Sequence, residues 1–245
     1  MGITQLSLRT ENITHSICRQ LGVAIITGHY VPQGDFPTEA ELCEKFQVSR
    51  SAMREAVKML SAKGLLVSRQ RRGTRVQPAS DWNMLDPDIL EWLQQSSPSL
   101  DLLREFNQMR MAIEPEAGAL LAQSGEAAGI AALGAAVERM HLARLGEDDP
   151  LDSDIAFHVA LLEGCGNRFF RQMAMLTRTA LQFSIRLTNS QKGVDMADYQ
   201  SHKNIYEAVC AGDAMLVREL LTNMLLEVES LINSASTAAG KRAAL

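Results

Sequence analysis

The run Ser49-Arg50-Ser51-Ala52-Met53-Arg54-Glu55-Ala56-Val57-Lys58-Met59-Leu60 constrains the fold more than any other stretch of the chain. At helical period, Met53, Ala56, Val57 and Leu60 recur at three-to-four spacing and require a core, while Arg50, Arg54 and Lys58 form a basic stripe. Ser49 is placed to cap this helix: its hydroxyl can accept from first-turn N–H groups, and the positive helix end then lies beside Arg50. Such an end suits phosphate, although a lone basic stripe reads equally well as a solvated helix face. The preceding residues add to it. After Pro37, Thr38–Phe46 reads as a short helix with Thr38 as N-cap and Glu41 completing a capping box, and Gln47-Val48-Ser49 is a three-residue turn. Two helices joined so tightly, the second basic, predict a helix-turn-helix whose second helix enters the major groove of double-stranded DNA.

The flanks extend this unit. After a short polar arm, Ile13, Ile17, Leu21, Ala24 and Ile25 trace another helix ending at Gly28. Gly64 ends the basic helix, with Lys63 as a cation at its C-terminus. Leu65–Val76 then offers two short β-prone runs around a basic tip containing Gly73, a hairpin signature. By itself, a hairpin carrying Arg69, Arg71, Arg72 and Arg75 is an edge kept soluble by charge; directly after a basic helix, it reads as a wing on DNA backbone or minor groove. Charge supports the second view: residues 1–80 hold 11 Lys and Arg against 6 Asp and Glu, or +5, whereas residues 81–245 hold 13 against 23, or −10.

The order Phe36-Pro37-Thr38-Glu39-Ala40-Glu41-Leu42, Val48–Ala56, Gly64-Leu65-Leu66 and Arg72-Gly73-Thr74-Arg75-Val76 resembles the N-terminal domain of GntR-family bacterial transcription regulators. The resemblance implies DNA contacts from Ser49, Arg50 and Arg54, to which the stripe adds Lys58 and the wing Arg69, Arg71, Arg72 and Gly73. Ala40 departs from the pattern, since many relatives carry Arg there.

Residues 10–78 are therefore expected to form a winged helix-turn-helix, and residues 79–99 a linker with a helix opening near Pro87. Trp82 and Trp92, the chain's two tryptophans, are expected to wedge head against body. Residues 100–234 read as an all-helical bundle, with spans Leu100–Leu121, Glu126–Leu145, Ser153–Glu163, Arg168–Leu187, Gln200–Ala211 and Ala214–Ser234 and a frayed end from Ala235. The four scattered cysteines suggest reduced, structural thiols, and the chain shows no signal peptide or apolar run of membrane-spanning length. A cytoplasmic protein is expected.

In the body, Asp154 and His158 share a helix face, a pattern that serves a surface hydrogen bond as readily as a metal. Flanking Ile155, Val159, Leu161 and Leu162 argue that this face is buried, and His202 opens another helix beside Ile205 and Val209. The ensemble resembles the effector domain of the FadR-type GntR subgroup. The resemblance implies a divalent metal (Zn, Ni or Mn) held by Asp154, His158 and His202, and a carboxylate effector held by the metal and by Arg110. Relatives with a complete site have a further His where this chain has Met224, a poor ligand for a hard cation, so a three-ligand site or loss of the metal both remain open.

Arg110 and Glu114, four apart, read alone as an intrahelical ion pair; the resemblance gives Arg110 to the effector carboxylate and leaves Glu114 as a hydroxyl acceptor. The expectation is a homodimeric regulator, dimeric because one small head gains too little specificity, that is released from its operator by a sugar acid such as D-galactonate. A short hydroxy acid or fatty-acyl effector is the alternative. No motif supplies a general base or nucleophile beside the metal residues, so an enzyme is not expected.

Overall fold

The computed structural model describes residues 3–32, 34–69, 73–93, 95–96, 99–192 and 198–243, and divides the chain into two compact units, Met1–Ser97 and Pro98–Leu245. In the first unit, α1 (Ile3–Ile26), α2 (Glu39–Phe46) and α3 (Arg50–Ala62) are followed by a hairpin of β1 (Leu66–Arg69) and β2 (Gly73–Val76), a 3₁₀ turn at Ala79–Asp81, and α4 (Pro87–Leu93). The helical periodicity of α3 decides the packing: Met53, Ala56, Val57 and Leu60 are buried with Leu21 of α1 and Leu42 of α2, and Arg50, Arg54 and Lys58 face solvent.

Both predicted caps form. Glu41 N–H donates to Thr38 Oγ1 at 3.3 Å while Thr38 N–H donates to Glu41 Oε2 at 2.8 Å, and Ala52 N–H donates to Ser49 Oγ at 3.3 Å. The turn between the helices is this short because Gln47 adopts a left-handed conformation, φ 54°, that reverses the chain in one residue. The strands are antiparallel with Leu66 opposite Val76 and Arg69 opposite Gly73; Leu66 and Val76 are buried, which seats the hairpin on the helical core. Arg71 and Arg72 of the expected wing tip lie outside the described residues.

The segment expected as a linker is folded into the first unit. Lys63 Nζ donates to Asp86 Oδ1 and Oδ2 at 2.8 and 2.9 Å and lies 2.6 Å from Asp88 Oδ2, while Asn83 N–H donates to the Lys63 carbonyl at 2.9 Å. Trp92 is buried against α1, where Gly22 leaves room for its ring: a Cβ at position 22 would meet it at 2.1 Å. Trp82 is half-buried and donates Nε1–H to the Gln77 carbonyl at 3.2 Å.

The second unit is helical: α5 (Leu100–Ser124), α6 (Ala127–Arg144), α7 (Pro150–Gly164), α8 (Arg168–Gln172), α9 (Ala174–Lys192), α10 (Tyr199–Cys210) and α11 (Ala214–Ala243). Here α5 packs along α11 and α6 along α7, with α7 also against α9. Gly118 permits the first contact, because a Cβ there would meet Leu221 at 2.7 Å and Val217 at 2.8 Å. Almost every residue from Ser153 to Leu162 is buried, so α7 runs through the bundle core.

Three expectations are corrected. Arg168–Leu187 is two helices, separated where Met173 N–H bonds back to the Phe170 carbonyl and tightens the turn; α1 already begins at Ile3; and α11 continues to Ala243 instead of fraying from Ala235. No described helix is long and apolar enough to cross a membrane, and the four cysteines are free.

Candidate metal centre

In α7, Asp149 caps the helix from its side chain, Pro150 occupies the first turn, and the resulting register turns Asp154 and His158 inward together. The opening turn of α10 brings His202 beside them, and α5 supplies Arg110 and Glu114; all five are buried. His158 Nε2 and His202 Nε2 lie 3.3 and 3.2 Å from Asp154 Oδ1. Even so, Asp154 Oδ1 and His202 Nε2 have no hydrogen-bond partner among the described residues.

The outer nitrogens are better served. His202 Nδ1 donates to the Asp198 carbonyl at 2.7 Å, and His158 Nδ1 donates to Glu114 Oε2 at 2.9 Å. Each ring thereby turns its Nε2 toward Asp154. A backbone carbonyl or carboxylate behind the outer nitrogen is how metal-binding imidazoles are usually oriented, and an orphaned carboxylate oxygen facing an orphaned imidazole nitrogen suits a cation. One ligand atom from each of Asp154, His158 and His202 can be drawn within 4.8 Å of the others. These residues fit a divalent metal with N and O preference, and open positions would remain beside the three protein ligands.

Arg110 and Glu114 complete the centre. Arg110 Nε and Nη2 donate to the two Glu114 carboxylate oxygens at 2.7 and 3.2 Å, and Nη2 also lies 3.1 and 3.2 Å from the two ring nitrogens of His158. Nη1 has no partner among the described residues. Burial alone would raise the Glu114 pKa, but the charges of Arg110 and His158, with their hydrogen bonds, hold it down at about 2. Asp154 is likewise held well below the usual carboxylate range, against its burial, by His158 and His202. Burial works to lower the His158 pKa, yet Glu114 and Asp154 pull it upward. With His158 protonated, the state its raised pKa favours, Glu114 and Asp154 balance Arg110 and His158; with both imidazoles neutral the buried groups carry one negative charge.

Arg110, Asp154, His158 and His202 line a cavity of about 220 Å³. Glu114, expected as an acceptor from an effector hydroxyl, is completely buried, is not among the residues lining the cavity, and accepts from Arg110 and His158 on its two oxygens. Met224 lines the same cavity.

Comparison with known proteins agrees with this architecture. Residues 13–76 match the family described as bacterial regulatory proteins, gntR family, and residues 105–227 match the FCD domain. The chain belongs to the GntR family of transcriptional regulators, with an FCD domain as its body. It is 32% identical over 205 residues to the HTH-type transcriptional regulator YieP of Escherichia coli, covering 83% of this chain and 88% of that one. With the galactonate operon transcriptional repressor of the same organism it shares 28% identity over 217 residues, 88% and 95% of the two chains. The solved structure of Lar, described as controlling the Listeria monocytogenes agr system, shares the fold with a TM-score of 0.60 at 18% identity, over 90% of this chain and 96% of that one. The matched curated relatives are named as transcriptional regulators, not enzymes.

In the first unit the basic stripe faces solvent with local acidic company: Arg54 Nε lies 3.7 Å from Glu39 Oε2 and Lys58 Nζ 2.8 Å from Glu55 Oε1. In the FCD body, sequence reading found the centre but missed the polar side chains that share its cavity, Ser184, Asn189, Asn204 and Asn223. Scattered over α9, α10 and α11, they form no motif; only their topological convergence gives them away.

Proposed function

We propose that this regulator is a cytoplasmic homodimeric repressor of the FadR-type subgroup, released from its operator by a small sugar acid. Residues 10–78 dock on DNA through Ser49, Arg50, Arg54, Lys58, Arg69, Arg71, Arg72 and Gly73, and residues 100–234 bind effector and dimerise. The single observation behind the effector reading is the buried set Arg110, Asp154, His158 and His202 on one cavity, with Nε2 of His202 and Oδ1 of Asp154 orphaned. A divalent cation there supplies open positions that a hydroxy-carboxylate can chelate, while Arg110, positioned by Glu114, offers its remaining N–H groups to the carboxylate. The name of the galactonate operon repressor, similar along most of its length, supports a sugar acid.

The test is thermal unfolding of metal-stripped protein titrated with Zn, Ni or Mn and then with D-galactonate. A native-state ligand at a hundred times its Kd adds about 2.7 kcal/mol. The expected result is a metal shift followed by a further D-galactonate shift that disappears in Arg110→Ala. No response to any metal would overturn the metal site, and a metal shift with no response to any carboxylate would overturn the effector reading.

A further inference from the structure

We infer that the ligand of the FCD cavity is a polyhydroxylated monocarboxylate whose hydroxyls are read by Asn189, Asn204 and Asn223. This inference rests on the proposed carboxylate and metal sites, and it adds the chemistry of the rest of the ligand. The cavity has two ends of different character. Its charged groups, Arg110, Asp154, His158 and His202, are buried, whereas Asn189 is half-buried and Asn204 and Asn223 are exposed. Three amides from three helices thus line the open side of one cavity, with Ser184 as a further hydroxyl in its wall.

An amide matches a sugar hydroxyl because each both donates and accepts in a fixed geometry. Asn204 Oδ1 already accepts from Gln200 Nε2 at 2.8 Å, so its remaining capacity is chiefly as a donor. Asn189 and Asn223 line the same cavity, and among the described residues neither side chain is hydrogen-bonded. A hydrocarbon chain running outward past these groups would strip them of water without replacing its hydrogen bonds, which is how a polar site rejects an analogue that lacks hydroxyls. Leu220, Met224 and Val228, also in the wall, suit the C–H faces of a carbon backbone.

Charge limits the ligand to one carboxylate. Among the described residues lining the cavity, Arg110 is the sole Lys or Arg, while Asp198 places an acidic side chain on its exposed side. A second carboxylate at the far end of the ligand would meet the Asp198 carboxylate and, among the described lining residues, no further Lys or Arg.

Isothermal titration of the zinc-loaded full chain with D-galactonate, galactarate, glycolate and hexanoate tests this. D-galactonate is expected to bind at least about tenfold more tightly than the other three. Asn189→Ala and Asn223→Ala, which circular dichroism should show folded, are each expected to weaken D-galactonate about tenfold and leave glycolate unchanged. Hexanoate or galactarate binding as well as D-galactonate would overturn the inference. So would asparagine variants that leave D-galactonate unaffected, or that weaken glycolate equally. If glycolate binds in a zinc-dependent way without discrimination, the proposed metal and carboxylate sites stand and this inference alone falls; if none of the four binds, both fall.

Discussion

Two ion pairs in the body have nearly the same geometry and very different burial, which makes them a controlled test of what the centre contributes. Arg110 and Glu114 bond at 2.7 and 3.2 Å with side chains 3% and 0% exposed; Arg218 and Glu116 bond at 2.8 and 3.2 Å with side chains 38% and 43% exposed. Glu114→Gln preserves volume but turns an amide N–H₂ toward Arg110 or His158 and leaves a buried guanidinium without its counter-charge. Breaking a buried pair from one side costs about 3–5 kcal/mol, whereas an exposed pair is worth about 0–1 kcal/mol. For a unit of about 150 residues, each kcal/mol moves the midpoint by about 2–4 °C. Glu114→Gln should therefore lower the transition of metal-stripped protein by roughly 6–20 °C, and Glu116→Gln by less than about 4 °C. Calorimetry of both variants, with urea unfolding to convert midpoints into free energies, makes the comparison. Equal shifts, or a Glu114→Gln shift below about 2 °C, would refute the claim that burial makes Glu114 the electrostatic support of the centre.

Three further outcomes are expected. Gly22→Val, whose Cβ would meet the Trp92 ring at 2.1 Å, should destabilise the first unit by about 1–3 kcal/mol in urea unfolding followed by tryptophan fluorescence. Thr38→Ala removes one half of the α2 capping box and should cost about 1 kcal/mol in the same assay. If Arg50 contacts a phosphate, Arg50→Ala should weaken DNA binding and reduce the slope of log affinity against log salt by about 1; an unchanged slope would assign Arg50 to base reading or to solvent.

The helix-turn-helix was legible because its determinants are local. Thr38 with Glu41, Ser49 before Arg50, and the apolar spacing from Met53 to Leu60 each act within a turn or two, and each forms as read. Asp154 and His158 were legible for the same reason, four apart on one helix with apolar neighbours. The fate of residues 79–93 was not, because their tie to the first unit runs through Lys63 to Asp86 and Asp88 and through Gly22 to Trp92, contacts made only once the chain has folded back. The surroundings of Glu114 were hidden for a related reason. Its spacing from Arg110 was visible, but His158 arrives from another helix 44 residues later and takes an oxygen that sequence reading had reserved for a ligand.

The charge left in the centre makes a stronger demand than its shape. Glu114 and Asp154 are ionised against Arg110 and a His158 whose pKa they raise, so the metal-free buried groups sum to between zero and one negative charge, and no positive charge is left over to draw in a carboxylate. A divalent cation would displace any proton on His158 and leave one positive charge, which one carboxylate would neutralise. Metal and effector should consequently favour each other, and linkage requires the same factor in both directions. Removing zinc should weaken D-galactonate about tenfold or more, and saturating D-galactonate should tighten zinc by that factor. Titrating each ligand with and without the other measures it. A factor of one would mean that Arg110 alone accounts for carboxylate binding, and that Asp154, His158 and His202 serve a metal with no part in the signal.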